Sequence, residues 1–290
     1  MQKYLTINPL NKIIKVSYLL SFLSIFILAS CSSTEEELDE RLLEKELYDA
    51  SQVRLKNGNF NNAIRSLEIL ERRFPFGRYA EQAQAELIYA YYRNFEFEAA
   101  RSAAERFIDL HPRHPHTSYA YYLRGLSAFT DDSGIFSRYF TSDLSKRDIE
   151  PAQQSFEDLS EFLARYPKSP YASHARQRMI YLKNILAQHE IYIANFYMER
   201  KAYVAAVGRA RYVIEHMPNT PQVPEALSIL VIAYGLLGYE DLRQKNFEIL
   251  RTNYPNFASK ELVKPKRSWK NRLSFGLLGD EEILPPLKEN

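Results

Sequence analysis

Apolar residues recur at steps of three and four along most of the chain after residue 45, which is the spacing of one face of an α-helix. The segment 60–74, FNNAIRSLEILERRF, shows the pattern clearly, with apolar residues at Phe60, Ala63, Ile64, Leu67, Leu70 and Phe74. The strict alternation that is typical of strands does not extend over any useful length. The pattern therefore predicts an all-α protein.

The predicted helices end in the same way five times along the chain. A bulky residue followed by proline closes a segment at Phe74-Pro75, His111-Pro112, Tyr166-Pro167, Met217-Pro218 and Tyr254-Pro255. Proline ends a helix because it has no backbone N–H and its ring clashes with the preceding turn.

A second position repeats with the prolines. Twelve residues before each proline stand Ala63, Ala100, Ser155, Ala206 and Arg243, so four of the five are small. The arrangement resembles the tetratricopeptide repeat (TPR), in which a small residue lets the second helix of a pair pack closely on the first. We therefore predict a right-handed superhelix of five TPR helix pairs.

Unequal repeat lengths indicate two insertions. The prolines are 37, 55, 51 and 37 residues apart, so the middle spacings exceed the others by 18 and 14 residues. The first excess, 131–148, is rich in turn formers and predicts an inserted loop. The second falls in 171–199, which lacks Gly and Pro and predicts one long helix. We expect an N-terminal half over 46–130, with repeats one and two and the start of the third, and a C-terminal half over 149–258.

The start of the chain has the pattern of an exported protein. Lys3, Lys12 and Lys15 precede the apolar run VSYLLSFLSIFIL at 16–28, and no acidic residue comes before this run. The run is too short to cross a bilayer, which takes roughly 20 apolar residues. A basic lead followed by a short apolar core predicts a signal peptide over residues 1–30.

Cys31 directly follows that predicted signal. The residues Leu-Ala-Ser-Cys at 28–31 resemble the lipobox of bacterial lipoproteins, in which the cysteine becomes the first mature residue and carries covalent lipid. The alternative is a buried cysteine that happens to follow an apolar run. The lipobox resemblance, with Ser32 rather than Asp after the cysteine, implies anchoring in the outer membrane of a Gram-negative bacterium, facing the periplasm. The acidic residues 31–45 then form a tether.

Charge and cysteine content narrow the classes of function. The full chain has a net charge of +2, and removal of the three signal-peptide lysines leaves −1. There is no global basic excess to attract nucleic acid. Cys31 is the only cysteine, so no internal disulfide is possible. The last residues, 259–290, predict a basic, flexible tail suited to anionic head groups or an acidic partner.

No constellation of catalytic or metal-binding residues stands out. His111, His114 and His116 lie close together in HPRHPH, but no neighbouring Cys or Glu completes a zinc set, and the prolines favour a repeat-terminating turn. Phosphate-binding, dinucleotide-binding and nucleophile-elbow motifs are missing from the sequence. We therefore expect no enzymatic activity, no metal and no cofactor other than the lipid on Cys31.

Tyrosines are concentrated in the predicted first helices of the repeats. Tyrosine offers apolar area and a hydroxyl group at low entropic cost, so it suits peptide contacts in the groove of a repeat protein. The alternative is that these rings fill the core between helices. The residues concerned are Tyr89, Tyr91, Tyr92, Tyr119, Tyr121 and Tyr122.

Four longer stretches resemble the BamD (YfiO/ComL) family. They are RRFPFGRYAEQAQAELIYAYYRN at 72–94, RFIDLHPRHP at 106–115, YYLRGL at 121–126 and AYVAAVGRARYVIEHMPNT at 202–220. The resemblance runs from the lipobox to about residue 255. One departure is Lys201, at a position where the family pattern predicts glycine.

The resemblance implies a function, partners and site residues. Members of this family are lipid-anchored, five-repeat scaffold subunits of the outer-membrane β-barrel assembly machine. They help recognise unfolded outer-membrane proteins and deliver them to BamA, and they contact other Bam lipoproteins such as BamC where it exists. The implied substrate-peptide groove residues are Tyr79, Tyr89 and Tyr92, and the implied docking residue for the periplasmic domains of BamA is Arg209.

Two alternatives stay open at this stage. Arg209 has an alternative role as an ion-pair partner inside the solenoid. For the whole protein, the alternative function is a structural TPR lipoprotein that links the outer membrane to peptidoglycan or to a DNA-uptake apparatus.

Overall fold

The computed structural model describes residue 39 and residues 41–129 and 148–257. These residues form ten α-helices and no strand, which confirms the all-α prediction for the described part of the chain. The helices are α1 (Glu44–Lys56), α2 (Phe60–Arg73), α3 (Ala80–Arg93), α4 (Phe97–Leu110), α5 (Thr117–Ala128), α6 (Glu150–Arg165), α7 (Ala172–Glu199), α8 (Tyr203–His216), α9 (Val223–Leu236) and α10 (Glu240–Asn253).

The ten helices form five consecutive pairs of the TPR type, and they divide into two compact units. The first unit, Met1–His114, contains the pairs α1–α2 and α3–α4. The second unit, Pro115–Asn290, contains α5–α6, α7–α8 and α9–α10. The sequence had assigned the start of the third repeat to the N-terminal half, whereas α5 lies in the second unit, because it packs on α6.

A single left-handed residue makes the tight turn inside four of the pairs. The residue is Gly58 (φ 73°) between α1 and α2, Phe95 (φ 64°) between α3 and α4, Lys201 (φ 60°) between α7 and α8, and Gly238 (φ 77°) between α9 and α10. The left-handed conformation is easy for glycine and costs other residues roughly 1–2 kcal/mol. Phe95 and Lys201 therefore hold a strained backbone at positions that glycine fills elsewhere in the same chain.

The second helix of each pair ends next to the repeated proline. In the first repeat, α2 ends at Arg73, and the N–H of Phe74 donates to the carbonyl of Leu70 at 2.8 Å before Pro75 turns the chain. The other four second helices end at Leu110, Arg165, His216 and Asn253, each two residues before its proline. The proline signal in the sequence therefore marks the repeat boundaries.

The small residues of the repeat lie where the two helices of a pair cross. Ala63, Ala100, Ser155 and Ala206 are fully buried. At the α5–α6 crossing, the hydroxyl of Ser155 donates to the carbonyl of Gly125 at 2.6 Å. Close approach of the backbones explains why this position is small in four repeats.

The helix α7 is the longest of the described helices, with 28 residues. It spans Ala172–Glu199, where the sequence predicted one long helix over 171–199. It contacts α6, α8 and α9, so its extra length serves as a shared packing surface in the second unit. Among the described residues, no helix combines the length and apolar character needed to cross a membrane.

Several predicted segments fall outside the described residues. These are the signal peptide at 1–30, the tether at 31–45 apart from Asp39 and residues 41–45, the inserted loop at 131–148 except its last residue, and the tail at 259–290.

Candidate functional site

Tyr79 lies in the turn before α3 and is half-buried against α1. Its ring stacks on Tyr48 with centroids 4.5 Å apart and an angle of 15° between the planes. Its backbone N–H donates to Oε1 of Glu44 at 2.8 Å. The Tyr48 hydroxyl in turn donates to Glu86, and burial together with that carboxylate raises the pKa of Tyr48. Tyr79 is thus held in place by the packing of α1 on α3.

Tyr89 lies near the opposite end of α3, in a cluster with Phe60 and Arg93. The rings of Phe60 and Tyr89 meet edge to face at 5.9 Å. Arg93 donates from Nη1 to the Tyr89 hydroxyl at 2.7 Å, and its guanidinium lies 4.8 Å from the centre of the Phe60 ring. This cluster is a mixed aromatic and cationic surface at the α1–α2 and α3–α4 turns.

Tyr92 extends that surface through two phenylalanines of the α3–α4 turn. Its ring lies 5.8 Å from Phe97, and Phe97 lies 6.0 Å from Phe95. Phe95 is 80% exposed although it occupies a left-handed position. An exposed aromatic ring on a strained backbone is a candidate contact residue, and the sequence pattern alone did not predict it. The available signal was its alignment with Gly58 in the preceding repeat.

The three predicted groove tyrosines therefore do not form one site. Tyr89 and Tyr92 are neighbours at the C-terminal end of α3, whereas Tyr79 precedes its first residue. The helical rise puts at least ten residues, or roughly 15 Å, between the two positions. Tyr89 and Tyr92 belong with Phe60, Arg93, Phe95 and Phe97, and we call these six residues the aromatic end of the first unit.

Most of the other tyrosines pack inside the units. The Tyr91 hydroxyl donates to Glu68. Burial is the larger cause, and this hydrogen bond the second, of a raised pKa for Tyr91. Tyr122 is buried, stacks on Tyr171 at 4.9 Å and shares a hydrogen bond of 2.7 Å with Nδ1 of His174. For these residues the structure favours the core-filling alternative.

Arg209 lies on α8 and pairs with a carboxylate of α7. Its Nη1 is 3.2 Å from Oε2 of Glu190, and the side chains are 44% and 11% exposed respectively. The internal ion pair that was the alternative for Arg209 therefore exists, while nearly half of the arginine faces outward. Tyr212, three residues after Arg209 on α8, and Val204, five residues before it, are exposed.

The predicted histidine cluster is part of the turn after α4. Nε2 of His111 is 2.8 Å from Oε1 of Gln84, and Glu81 lies 3.7 Å from both His111 and His114. Both imidazoles pack against Phe107. Within the described ranges, no group of three or more His, Cys, Asp or Glu side chains is arranged to hold a metal ion.

Cys31 lies outside the described residues, but the segment after it enters the first unit at a defined place. Asp39 is buried, and its carboxylate pairs with Arg54 and accepts from the Ser66 hydroxyl at 2.9 Å. Arg73 donates to the carbonyl of Leu42 at 2.9 Å. These contacts fix the chain onto the first repeat before α1 begins.

Comparison with known proteins gives a consistent result. The YfiO family, described as an outer membrane lipoprotein family, matches residues 41–250. Outer membrane protein assembly factor BamD of Neisseria meningitidis serogroup A is 40% identical over 73% of this chain and 79% of its own length. The protein of the same name from Vibrio cholerae is 36% identical over 82% of this chain and 99% of its own length. The one from Xylella fastidiosa strain Temecula1 is 37% identical over 77% and 76% respectively.

The solved structures add little to this result. A tetratricopeptide repeat protein from Parabacteroides merdae aligns over 73% of this chain and 67% of its own, with 13% identity and a TM-score of 0.31. The assignment rests on the family match across most of the chain and on relatives at 36–40% identity. The chain therefore belongs to the YfiO family of outer membrane lipoproteins.

Proposed function

We propose that this chain is a lipid-anchored scaffold subunit of the β-barrel assembly machine, which helps to recognise unfolded outer-membrane proteins and to deliver them to BamA. The main support is the family match, together with relatives that are outer membrane protein assembly factors. The described residues add two exposed surfaces with different chemistry, one in each unit. The role needs no catalytic group, since it consists of binding and positioning partners.

In this proposal, covalent lipid on Cys31 anchors the protein in the membrane. Several acyl chains on one residue hold a protein firmly, because one chain alone gives only marginal membrane binding. Cys31→Ser should abolish labelling by radioactive palmitate and release the protein from the membrane fraction. Ser33→Ala, two residues away, should leave labelling intact. Equal labelling of the Cys31→Ser protein would contradict the proposal.

The substrate surface is the aromatic end of the first unit. Exposed aromatic side chains there offer apolar contact area, and Arg93 offers a cation for a carboxylate of the incoming chain. A photo-crosslinking residue at position 95 should capture unfolded outer-membrane protein in cells. The matched control is position 110, because Leu110 is also exposed in the first unit but lies at the other end of α4. Equal capture at both positions would argue against a specific surface.

The docking surface for BamA is the outward face of α8 around Arg209. Arg209→Gln removes a cation that could pair with a carboxylate of BamA, so it should reduce the BamA recovered with this chain from detergent-solubilised envelope. Arg211→Gln is the matched control, since Arg211 is exposed on the same helix and pairs with Glu215, one turn further along it, at 2.7 Å.

A third variant separates docking from the internal ion pair. Glu190→Gln breaks the pair with Arg209 but leaves the cation in place. If Arg209 docks BamA, Glu190→Gln should retain BamA while Arg209→Gln loses it. If Arg209 acts only through the pair, the two variants should lose BamA equally, and that result would overturn the docking role.

A further inference from the structure

Two segments that each carry an exposed apolar side chain lie in contact at one end of the first unit. Oε1 of Glu44 lies 2.8 Å from the backbone nitrogen of Tyr79, and a Cβ on Gly77 would meet the same carboxylate at 2.2 Å. The start of α1 is therefore in contact with the α2–α3 turn. We call residues 41–45 and 74–79 together the tip. Phe76 is 99% exposed and Leu43 is 67% exposed.

The turn itself does not require a phenylalanine at position 76. The same turn follows the second helix of the next repeats, with the N–H two residues after the proline donating back to the residue before the proline. The residue that corresponds to Phe76 is polar or charged in each of the four following repeats. In chain order these residues are Arg113, Lys168, Asn219 and Asn256. Phe76 is therefore the one apolar residue at this position of the turn among the five described repeats, and its full exposure makes it a candidate contact residue.

Basic residues lie close in sequence to both apolar ones. Exposed basic residues flank Leu43 and Phe76 on both segments, and the nearby carboxylates of Glu44 and Glu46 accept hydrogen bonds from the tip's own backbone. Long basic side chains can bury their methylene stems while their charges stay at lipid head groups. The basic residues are Arg41 and Lys45 on the first segment, Arg78 on the second and Arg72 two residues before the second. Lys45 also pairs with Asp49 at 2.8 Å.

The number of residues between Cys31 and the tip limits how far the tip can lie from a lipid on that cysteine. The buried contacts of Asp39 and the hydrogen bond from Arg73 to Leu42 fix the chain immediately before Leu43. Asp39 is only eight positions after Cys31. At no more than about 3.6 Å per residue, these positions span at most roughly 29 Å. Four further residues lead from Asp39 to Leu43, so the tip lies within reach of the bilayer surface.

We propose that the tip inserts Phe76 and Leu43 into the interface of the bilayer that holds the lipid of Cys31, with the neighbouring Arg and Lys side chains at the head groups. This inference rests on the proposed lipidation of Cys31. The occupant of the tip is therefore the phospholipid surface, and the first unit has a second, non-covalent contact with the membrane. Such a contact would fix the orientation of the first unit, which a single tether cannot do.

The test measures the depth of one tryptophan at the tip. Trp269 is the only tryptophan of the chain, so Trp269→Phe provides a silent background. The lipidated Phe76→Trp protein is reconstituted into vesicles of phosphatidylethanolamine and phosphatidylglycerol that carry brominated acyl chains. The proposal predicts blue-shifted and quenched emission. Phe95→Trp, in the same background and at the aromatic end of the unit, should stay unquenched. Both positions are highly exposed, so neither substitution disturbs the packing.

The outcomes separate this inference from the anchoring on which it rests. Failure to float with the vesicles would show that the lipid anchor is missing. Flotation with no quenching at position 76, or with equal quenching at position 95, would overturn the tip contact and leave the anchor standing. A blue shift at position 76 only after an unfolded outer-membrane protein is added would assign the tip to substrate and would equally overturn the proposal.

Discussion

Gly125 of α5 and Gly208 of α8 form a matched pair for substitution by alanine, because both are helical glycines of the second unit with opposite surroundings. A Cβ on Gly125 would lie 2.7 Å from Cδ2 and 3.2 Å from the backbone nitrogen of Leu159, which is fully buried on α6. A Cβ on Gly208 would meet no atom within 4 Å apart from its chain neighbours and the nearby backbone of its own helix. The backbone nitrogen cannot move away as a side-chain end can, so Gly125→Ala must push α5 and α6 apart.

The two substitutions should change stability in opposite directions. Replacing glycine by alanine in a helix gains roughly 1 kcal/mol from intrinsic propensity. Overpacking at a close crossing costs roughly 1–3 kcal/mol. At Gly125 the displacement would also lengthen the 2.6 Å hydrogen bond from Ser155 to the Gly125 carbonyl. We therefore expect Gly125→Ala to destabilise the second unit by about 1–2 kcal/mol and Gly208→Ala to stabilise it by up to about 1 kcal/mol.

Urea denaturation followed by far-UV circular dichroism measures both effects. The midpoint should fall for Gly125→Ala and rise for Gly208→Ala with an unchanged slope, because the surface exposed on unfolding stays the same. The variants are made in a Cys31→Ser chain so that detergent is not needed. If Gly125→Ala raised the midpoint as much as Gly208→Ala, the close α5–α6 crossing would be refuted.

Three further substitutions test other parts of the structure in the same assay. Phe95→Gly should stabilise the first unit by roughly 1 kcal/mol, because it removes left-handed strain at the cost of an exposed ring; a loss of stability would contradict that balance. Asp39→Ala should destabilise the first unit by roughly 3 kcal/mol, since it leaves a largely buried guanidinium without its carboxylate; an unchanged midpoint would show that the N-terminal segment does not contribute. Burial would raise the pKa of Glu161, but hydrogen bonds from Arg124 and Arg165 outweigh it and lower that pKa. The resulting stabilisation is complete above the ordinary pKa of 4.5 and is lost as pH falls through the lower pKa of the folded state, so Glu161→Gln should reduce the acid sensitivity of the second unit; an unaltered pH profile would contradict this.

The sequence predicted the helices and their ends well because the signals for them are local. The apolar spacing of α2 lies in consecutive residues, and each proline acts on the turn beside it. The small residue at Ala63 and its counterparts could also be found, because the same contact recurs in each repeat.

The grouping of site residues could not be predicted in the same way. Tyr79 and Tyr89 are the same residue type and only ten positions apart, but the helix Ala80–Arg93 places them at opposite ends of α3. Glu190 is 19 positions from Arg209 and reaches it only through the packing of α7 on α8. Asp39 belongs to an acidic stretch that predicts a solvated tether, whereas its burial depends on Arg54 and Ser66 from the first repeat.

The two exposed phenylalanines could not be predicted from the sequence for another reason. Phe76 and Phe95 differ from the residues at the corresponding turn positions of the other repeats, which are polar residues or glycine. The repeats can be aligned residue by residue only when the hydrogen bonds and backbone angles of their turns are known. Both exceptions lie on the surface of the first unit, where they serve as candidate contacts and not as core residues.

Depletion of the chain in its native bacterium tests the central claim most directly. Outer-membrane β-barrel proteins that have folded resist unfolding by detergent at room temperature and migrate differently on gels before and after heating. If the chain is a scaffold of the assembly machine, the folded fraction of these barrel proteins should fall as the chain is depleted. Unfolded barrel proteins should then accumulate in the periplasm. An unchanged folded fraction, with the chain co-sedimenting with purified peptidoglycan, would contradict the account.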